Sequence, residues 1–594
     1  MMGSSTDEPV VASGSSGSGS DIKDDENAVQ TTGFKPNGRF WAIIFTCATI
    51  GLLSALENTV VTTALPRIAT ELNLDADYVW VTNIFFLTGA AVQPLFGQLA
   101  NIYGRRWITI IIVAFFTLGS GIAGGARNGA TLIGGRAVQG VGAGGIYIII
   151  DIIVSDLVPL RLRGNYTAVI LTIYTIGLAL GPYVGGEIIA TTTWRWVFWI
   201  NLPIGGAALI MIFLFLHVKY DRSQTVIQKL LRIDYIGNLI LIASTFSILY
   251  ALTYGGTVFA WSSARIVAPL VIGFAGFGLF GWYETTVKEP VMPPELFKNR
   301  TAIIIFGATF FNSLLLYWVL FFLPVYFQTA LLASAARAGV LLLPSILFAI
   351  PGSIVAVLAL TKWGKYKPIH LVGFALSLLG LGIFTLLDQN SSLAEIVIFQ
   401  AISAAGGGLV LNTLLPGVQA QLPESYQAAV TAAWAFIRSF GSIWGVAVPA
   451  AIFNNRFSQL LSQRVTDPQV REVFDGGNNA YENAYADFIR SFPTQSQAQL
   501  VSVYSDTLHF MWQISLAFAA VNLLIIVFEK QVPLRTELET EYGMEESKKK
   551  SEKQVEQAEE AVEAGAPVSN GIENGSVKVT GGAPPLLVTS PALE

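Results

Sequence analysis

The sequence predicts an all-α polytopic membrane protein, and three observations carry that prediction. Of 594 residues, 53% are hydrophobic and 13% charged, too little polar surface for a water-soluble globule. Fourteen apolar stretches are each long enough to cross a hydrocarbon layer of ~30 Å. The loops between them alternate in charge. Those after stretches two, four, six, eight and ten carry fourteen Lys and Arg, including Arg105, Arg106, Arg161, Arg163, Lys229, Arg232, Lys298, Lys362 and Lys367. The opposite loops carry five, Arg67, Arg127, Arg195, Arg265 and Arg337. An even count with this asymmetry predicts both termini in the cytoplasm, and an error of one span would scramble the alternation.

In chain order, residues 1–38 contain GSSGSGS and DIKDDENA and read as a disordered cytoplasmic tail. Spans are predicted at 40–63, 78–100, 107–126, 131–155, 166–190, 197–217, 235–255, 264–284, 301–327, 338–360, 369–387, 392–415, 428–452 and 508–528. Span 5 holds GLALGPYVGG, with Gly177, Gly181 and Gly185 on one helix face, Gly186 beside them, and Pro182 leaving the Leu178 carbonyl without its helical donor. The stretch reads as a kinked packing helix or as a close-packed seal, and either way a neighbouring helix or water must satisfy the freed carbonyl. The long loop 454–507 is expected outside, with short surface helices in RFSQLLSQRV and NAYADFIRSF. Asn390 sits in the sequon NSS of an outer loop. Residues 531–594, with EESKKKSEKQVEQAEEAVEA, are expected to be a second disordered cytoplasmic tail.

Composition also excludes function classes. The net charge of −5 lies in tails and loops and gives no reason to expect nucleic acid as a partner. Cys47 stands alone, so no intramolecular disulfide forms, and His217, His370 and His509 fall at span ends, where interfacial placement explains them and no metal partner has suitable spacing. A GxxxxGK[ST] phosphate loop is absent, and no nucleophile, base and orienting group stand at recognisable spacing, so neither nucleotide hydrolysis nor an enzyme is expected. No cofactor is expected beyond a proton gradient.

Five motifs carry a resemblance. GQLANIYGRR (97–106) resembles the GxLaDrxGRk loop of the major facilitator superfamily, RAVQGVGAGG (136–145) its RxxqGxgaa fourth span, and GLALGPYVGG the gxxxGPxxGG fifth span found mainly in its exporters. LENTVVTTALP (56–66) and WRWVFWINLPIG (194–205) are similar to the first span and sixth-span entry of its fourteen-span drug:proton antiporters. The resemblance covers roughly residues 40–530 and implies two six-helix halves around a cavity, 39–217 and 291–530, with two inserted helices in 218–290 and alternating access between the halves. It also implies a cytoplasmic gate at Gly97, Asn101, Gly104, Arg105 and Arg106, with Asp156 as the carboxylate engaging the arginines; the alternative is arginines that only set topology. Two departures stand out. The gate loop has Asn101 where the family has an acid, followed by Ile102, and span 1 has Glu57 where the family has Asp.

Glu57 and Arg136 are the expected proton-coupling residues. An ionisable group inside a span is costly and faces protein or a wet cavity. At 1.5 Å per residue Glu57 lies ~27 Å above Arg39 and Arg136 ~13 Å below Arg127, and these sum to ~40 Å, the full bilayer, so the two sit at similar depth. A fixed structural ion pair is the alternative. Arg438 is expected to line the cavity floor, pair across to the first half or snorkel. Glu187 reads as an outer-mouth or merely solvated residue, and Asp151 lies near the inner end of span 4. Asn83, Phe86, Phe310, Asn312, Tyr317 and Trp434 supply the aromatic faces and few polar groups expected of a small-molecule cavity.

The expected function is therefore proton-coupled efflux of lipophilic small molecules such as drugs, toxins or secondary metabolites, by a monomer in the plasma membrane, with the vacuolar membrane as the alternative site. A proton-coupled importer of iron chelates or nutrients on the same scaffold, and a non-transporting nutrient sensor, are the competing readings.

Overall fold

The computed structural model describes residues 36–535, apart from 73, 75–77, 219–224, 257–258, 475–479 and 482. The expected N-terminal tail up to 35 and the C-terminal tail from 536 lie outside the described residues. The described chain is almost wholly helical, because in hydrocarbon each backbone N–H and C=O must find its partner within the segment.

The first half contains α1 (Gly38–Leu72), α2 (Tyr78–Ala91), α3 (Gln93–Tyr103), α4 (Arg105–Gly124), α5 (Gly129–Leu157), α6 (Arg163–Thr191), α7 (Trp196–Trp199) and α8 (Asn201–Phe215). The short α9 (Val226–Leu231) leads into α10 (Tyr235–Tyr254) and α11 (Ala264–Glu284). The second half contains α12 (Arg300–Thr329), α13 (Ala335–Leu347), α14 (Ala349–Trp363), α15 (Lys367–Phe384), α16 (Leu393–Leu411), α17 (Leu414–Gln419), α18 (Gln427–Arg464), α19 (Pro468–Val473), α20 (Ala486–Arg490) and α21 (Thr494–Val527).

Thirteen stretches among the described residues are long and apolar enough to span a membrane, and Trp80–Ala91 is a shorter apolar helix that continues through Val92 into α3. Counting that broken crossing gives the fourteen expected. Prolines explain several interruptions within the crossings. Pro94, Pro203, Pro351 and Pro416 each stand just inside the helix after a break and cannot donate back across it. Side chains of Asn128, Asp234, Ser263, Asn299, Ser334 and Ser392 cap the helices next to them on the C-terminal side.

Within the first half α1 packs on α6 and α8, α4 on α5 and α8, and α2 on α5; within the second, α12 packs on α18 and α21, and α15 on α16 and α21. α10 and α11 pack on each other, and α10 also touches α2 and α18. Leu249 meets Leu87 and Ala90, and Ile248 and Leu252 meet Ala447. The inserted pair therefore lies along the seam between the halves.

Three sequence expectations need correction. α18 and α21 run far past the predicted limits 428–452 and 508–528, so RFSQLLSQR belongs to α18 and the connection shrinks to 465–493. That connection is packed: Phe457, Phe474 and Tyr504 form an aromatic cluster continuous with Phe322 and Phe453, and burial pushes the Tyr481 phenol up to about 12. Residues 531–535, expected in the disordered tail, are folded onto the chain. Leu534 is buried with Leu160, Ala356 and Tyr366, and the Arg535 guanidinium donates to the Leu422 carbonyl at 2.7 Å. Finally, His370 stands at the end of its span as expected but is not exposed to the interface. It is fully buried, 3.0 Å from a Glu529 carboxylate that is equally buried, between Tyr366 and Phe374.

Candidate functional site

Small residues bring the helices close enough to build the site. A Cβ on Gly144 would lie 2.0 Å from the Gly89 carbonyl oxygen of α2, and one on Gly142 would lie 2.4 Å from the Phe116 nitrogen of α4. α5 is thus wedged between α2 and α4, which fixes where Arg136 and Gln139 project. On the other side of α1, a Cβ on Gly177 would stand 2.9 Å from the Ala55 Cβ, and one on Gly181 1.9 Å from the Thr59 Oγ1. Gly185 is buried too, whereas Gly186, 100° further round the helix, is exposed and faces open space, so it does not share the packing stripe. The Thr59 hydroxyl lies 3.1 Å from the Leu178 carbonyl, the group that Pro182 deprives of its helical donor, and donates to it. The neighbouring helix that the sequence demanded is α1.

Glu57 and Arg136 meet as a direct ion pair, both buried. The pair sits in a neutral hydrogen-bonding shell. Asn201 Nδ2 donates to Glu57 Oε2 at 2.5 Å, Arg136 donates to Gln139 Oε1 at 2.7 Å and to the Val81 carbonyl at 2.8 Å, and Gln139 Nε2 donates to Ser120 Oγ at 2.7 Å. The Phe85 ring covers the guanidinium at 4.2 Å. One crossing each supplies Glu57 (α1), Phe85 (α2), Ser120 (α4), Arg136 (α5) and Asn201 (α8), all in the first half. Such a shell satisfies both charges, without which burial would cost several kcal/mol per ion, on the order of the whole stability of a domain.

One residue further along α1, Asn58 Nδ2 donates to the phenol oxygens of Tyr147 at 2.6 Å and Tyr174 at 3.1 Å, which are 2.6 Å from each other. Tyr147 lies eleven residues after Arg136, three helical turns on, so one face of α5 serves both clusters. From the second half Tyr317 and Arg438 approach: Arg438 acts electrostatically on Asp151 and on Tyr317, and Tyr317 neighbours Tyr147. Arg438 also stacks on buried Trp434 at 4.6 Å. Arg438 thus faces the first half across the interior without a salt bridge to Asp151 among the described ion pairs. Phe310 packs on Phe440 and the Gly441 backbone, Asn83 and Asn312 are part-exposed, and Phe86 is exposed while its neighbour Phe85 enters the ion-pair shell. Glu187 is exposed near the end of α6.

The two halves are tied together on the face that carries the first and last described residues. Arg105 grips Asp156, its Nε donating to Oδ2 at 2.6 Å, and Asn101 Oδ1 accepts from the same guanidinium at 3.1 Å. Gly104, with φ of +82°, makes the turn between α3 and α4 that a side chain would strain. Arg106 does not join this gate. Being 100° away on the helix, it donates instead to the Phe213 carbonyl at 2.7 Å and stacks on that ring. Gly97 packs against α18, where its Cβ would sit 2.4 Å from the Ala432 Cβ. The cross-links that sequence reading missed are those of Arg163, which donates to Gln419, Glu424 and Gln427 at 2.8–2.9 Å, and of Arg161, which donates to the Thr361 and Lys362 carbonyls at 2.7 Å. Arg535 adds a third strand to this knot through Glu424 and the Arg161 amide. The Tyr366 phenol, pushed up to about 12 by burial, stays neutral and donates to the Lys530 carbonyl while accepting from Gln421 and Val532.

Signals for the missed residues were present but weak. Gln139 and Asn201 stand inside RAVQG and WINLP, yet a neutral amide in a span raises no alarm in a hydropathy profile.

Comparison with known proteins gives a consistent outcome. A family model described as Major Facilitator Superfamily matches residues 47–446. An MFS-type transporter, TwmF, from Talaromyces wortmannii is 50% identical over 511 residues, covering 86% of this chain and 93% of its own. An MFS-type efflux pump, LUC4, from a Fusarium species is 41% identical over 546 residues, 91% of this chain and 96% of its own. Among solved structures, the human organic anion transporter MFSD10 matches with a TM-score of 0.52 at 13% identity, over 82% of this chain and 100% of that one. The proton:xylose symporter XylE matches with 0.52 at 14%, over 85% and 99%. At such identities these two structures speak to the fold alone.

Proposed function

This chain belongs to the major facilitator superfamily and is a multi-pass membrane transporter rather than an enzyme, and from that premise we propose that it exports lipophilic small molecules in exchange for protons. The observation that carries the reading is the Glu57–Arg136 pair, the one ion pair among those described that is buried in the first half at mid-depth with a shell of neutral hydrogen-bonding groups. A proton on Glu57 removes its charge and weakens its hold on Arg136, so the pair has two states that differ in how firmly it is held. Asn58, next to Glu57 on α1, holds Tyr147 and Tyr174, which carries a change at the carboxyl into the interior faced by Tyr317 and Arg438.

Export as the direction of transport is supported by the names of relatives, LUC4 among them and ffsH from Aspergillus flavipes, an MFS-type efflux transporter 46% identical over 510 residues. Positive-inside charge makes the tied face cytoplasmic, so the described arrangement is closed on that side; in the proposed cycle Glu57 takes its proton from outside and releases it inward once the tail-face knot opens. The aromatic faces and few charges of the interior suit lipophilic, neutral or weakly cationic substrates, and the plasma membrane is the proposed location. In sealed vesicles an inward proton gradient should drive flux of a lipophilic fluorescent dye opposite to the protons, and Glu57→Gln should abolish that coupled flux. Full coupled transport by Glu57→Gln would sink the mechanism.

A further inference from the structure

The Asn201 side chain is buried, its Nδ2 is spent on Glu57 Oε2, and among the described residues no donor reaches its Oδ1. A buried amide oxygen without a partner is uncommon and calls for a reason. We propose that Asn201 is a positioning residue for proton binding, an amide rotor that donates to the Glu57 carboxylate and, turned half a revolution, accepts the proton of the Glu57 carboxylic acid. This rests on the reading of Glu57 as the proton site.

The geometry decides which carboxyl oxygen takes the proton. Oε1 faces Nη1 of the Arg136 guanidinium, which also donates to Gln139 Oε1, while Nε donates to the Val81 carbonyl. A proton on Oε1 would set an O–H against an N–H that cannot turn away, since Arg has donors only. Among the described hydrogen bonds, Oε2 accepts that of the Asn201 amide, and none runs to it from Arg136. The final torsion of an asparagine is broad and two-fold, and its two ends differ little in size, so rotation puts Oδ1 where Nδ2 was. The unpaired position behind the amide then holds Nδ2 in place of Oδ1, so rotation leaves one unpaired group in either state. Arg136 keeps Oε1 throughout. The charged group acting on Glu57 is Arg136; the other side chains that hydrogen-bond to it, Asn201 and Gln139, are neutral. The proton therefore adds to Oε2 with no second titration, and the break between α7 and α8 at Ile200 is what aims Asn201 at it.

The test is pH-difference infrared spectroscopy of the full chain in liposomes. Acidification should raise a carboxylic-acid C=O band that Glu57→Gln removes. In Asn201→Leu, a near-isostere that cannot accept, the band should move to higher wavenumber, as for an acid without an acceptor, and Asn201→Ser, whose hydroxyl both donates and accepts, should return it toward the native position. In the native chain labelled with ¹³C-asparagine, an asparagine C=O band should shift with the same midpoint and vanish in Glu57→Gln, a readout that needs no Asn201 variant to fold. An unmoved acid band in Asn201→Leu, or no asparagine band tracking Glu57, overturns the rotor while leaving Glu57 as proton site. Absence of any acid band lost in Glu57→Gln overturns the proton site and the rotor together.

Discussion

Two arginine-centred networks of this transporter share a donor chemistry and differ in the bodies they join. The Arg136 network binds five crossings of the first half to one another, whereas the Arg163 network binds the first half to the second through Glu424, Gln419 and Gln427. In a rocking-halves transporter, a contact inside one half moves as part of a body, and a contact across the seam must break once per cycle. The former is therefore free to be buried and shielded in full. The latter stays reversible, and its Glu424 carboxylate keeps 17% of its surface open to water.

Breaking each network separates these roles. Arg136→Met leaves Glu57 buried without its cation and should cost on the order of 3–5 kcal/mol of stability, read as a large fall in melting temperature in detergent, with most of the loss recovered in Arg136→Met/Glu57→Gln. Arg163→Ala should leave the fold standing and shift the balance of states toward the conformer open at the tail face by about ten- to a hundred-fold, ~1.4–2.8 kcal/mol, read by distances between spin labels at the exposed positions 107 and 365. A melting temperature that falls as far as in Arg136→Met, with distances unchanged, would erase the contrast. Thr59→Val strands the Leu178 carbonyl inside the first half and should cost about 1–3 kcal/mol in stability without altering the label distances. Smallest is Asn101→Asp, which adds a carboxylate beside Arg105 near the seam and should favour the described state by about 0.3–1 kcal/mol, seen as a narrower spread of distances.

The fold is legible in the sequence because spans announce themselves by length and charge alternation, and the Glu57–Arg136 pair because two costly ionisable groups can be placed at one depth by counting residues. The Arg163–Glu424 bridge is not, since the partners lie 261 residues apart and Glu424 sits in a short turn where a carboxylate raises no question. Arg105 and Arg106 are adjacent in sequence and look like one gate, yet helical geometry sends them to different partners. The charged run beyond residue 535 makes 531–535 look like part of a tail, while Leu534 and Arg535 find specific pockets that composition does not encode.

Cys47 is the chain's single cysteine and its thiol is shielded on α1, at 2% exposure. Reagents that need an accessible thiolate will pass it by. The native chain is thus a ready background for site-specific reporters: one new cysteine on each half, at the exposed positions 67 and 337 on one side or 107 and 365 on the other, lets the proposed rocking be tested in single molecules without first stripping the protein of its own sulfur.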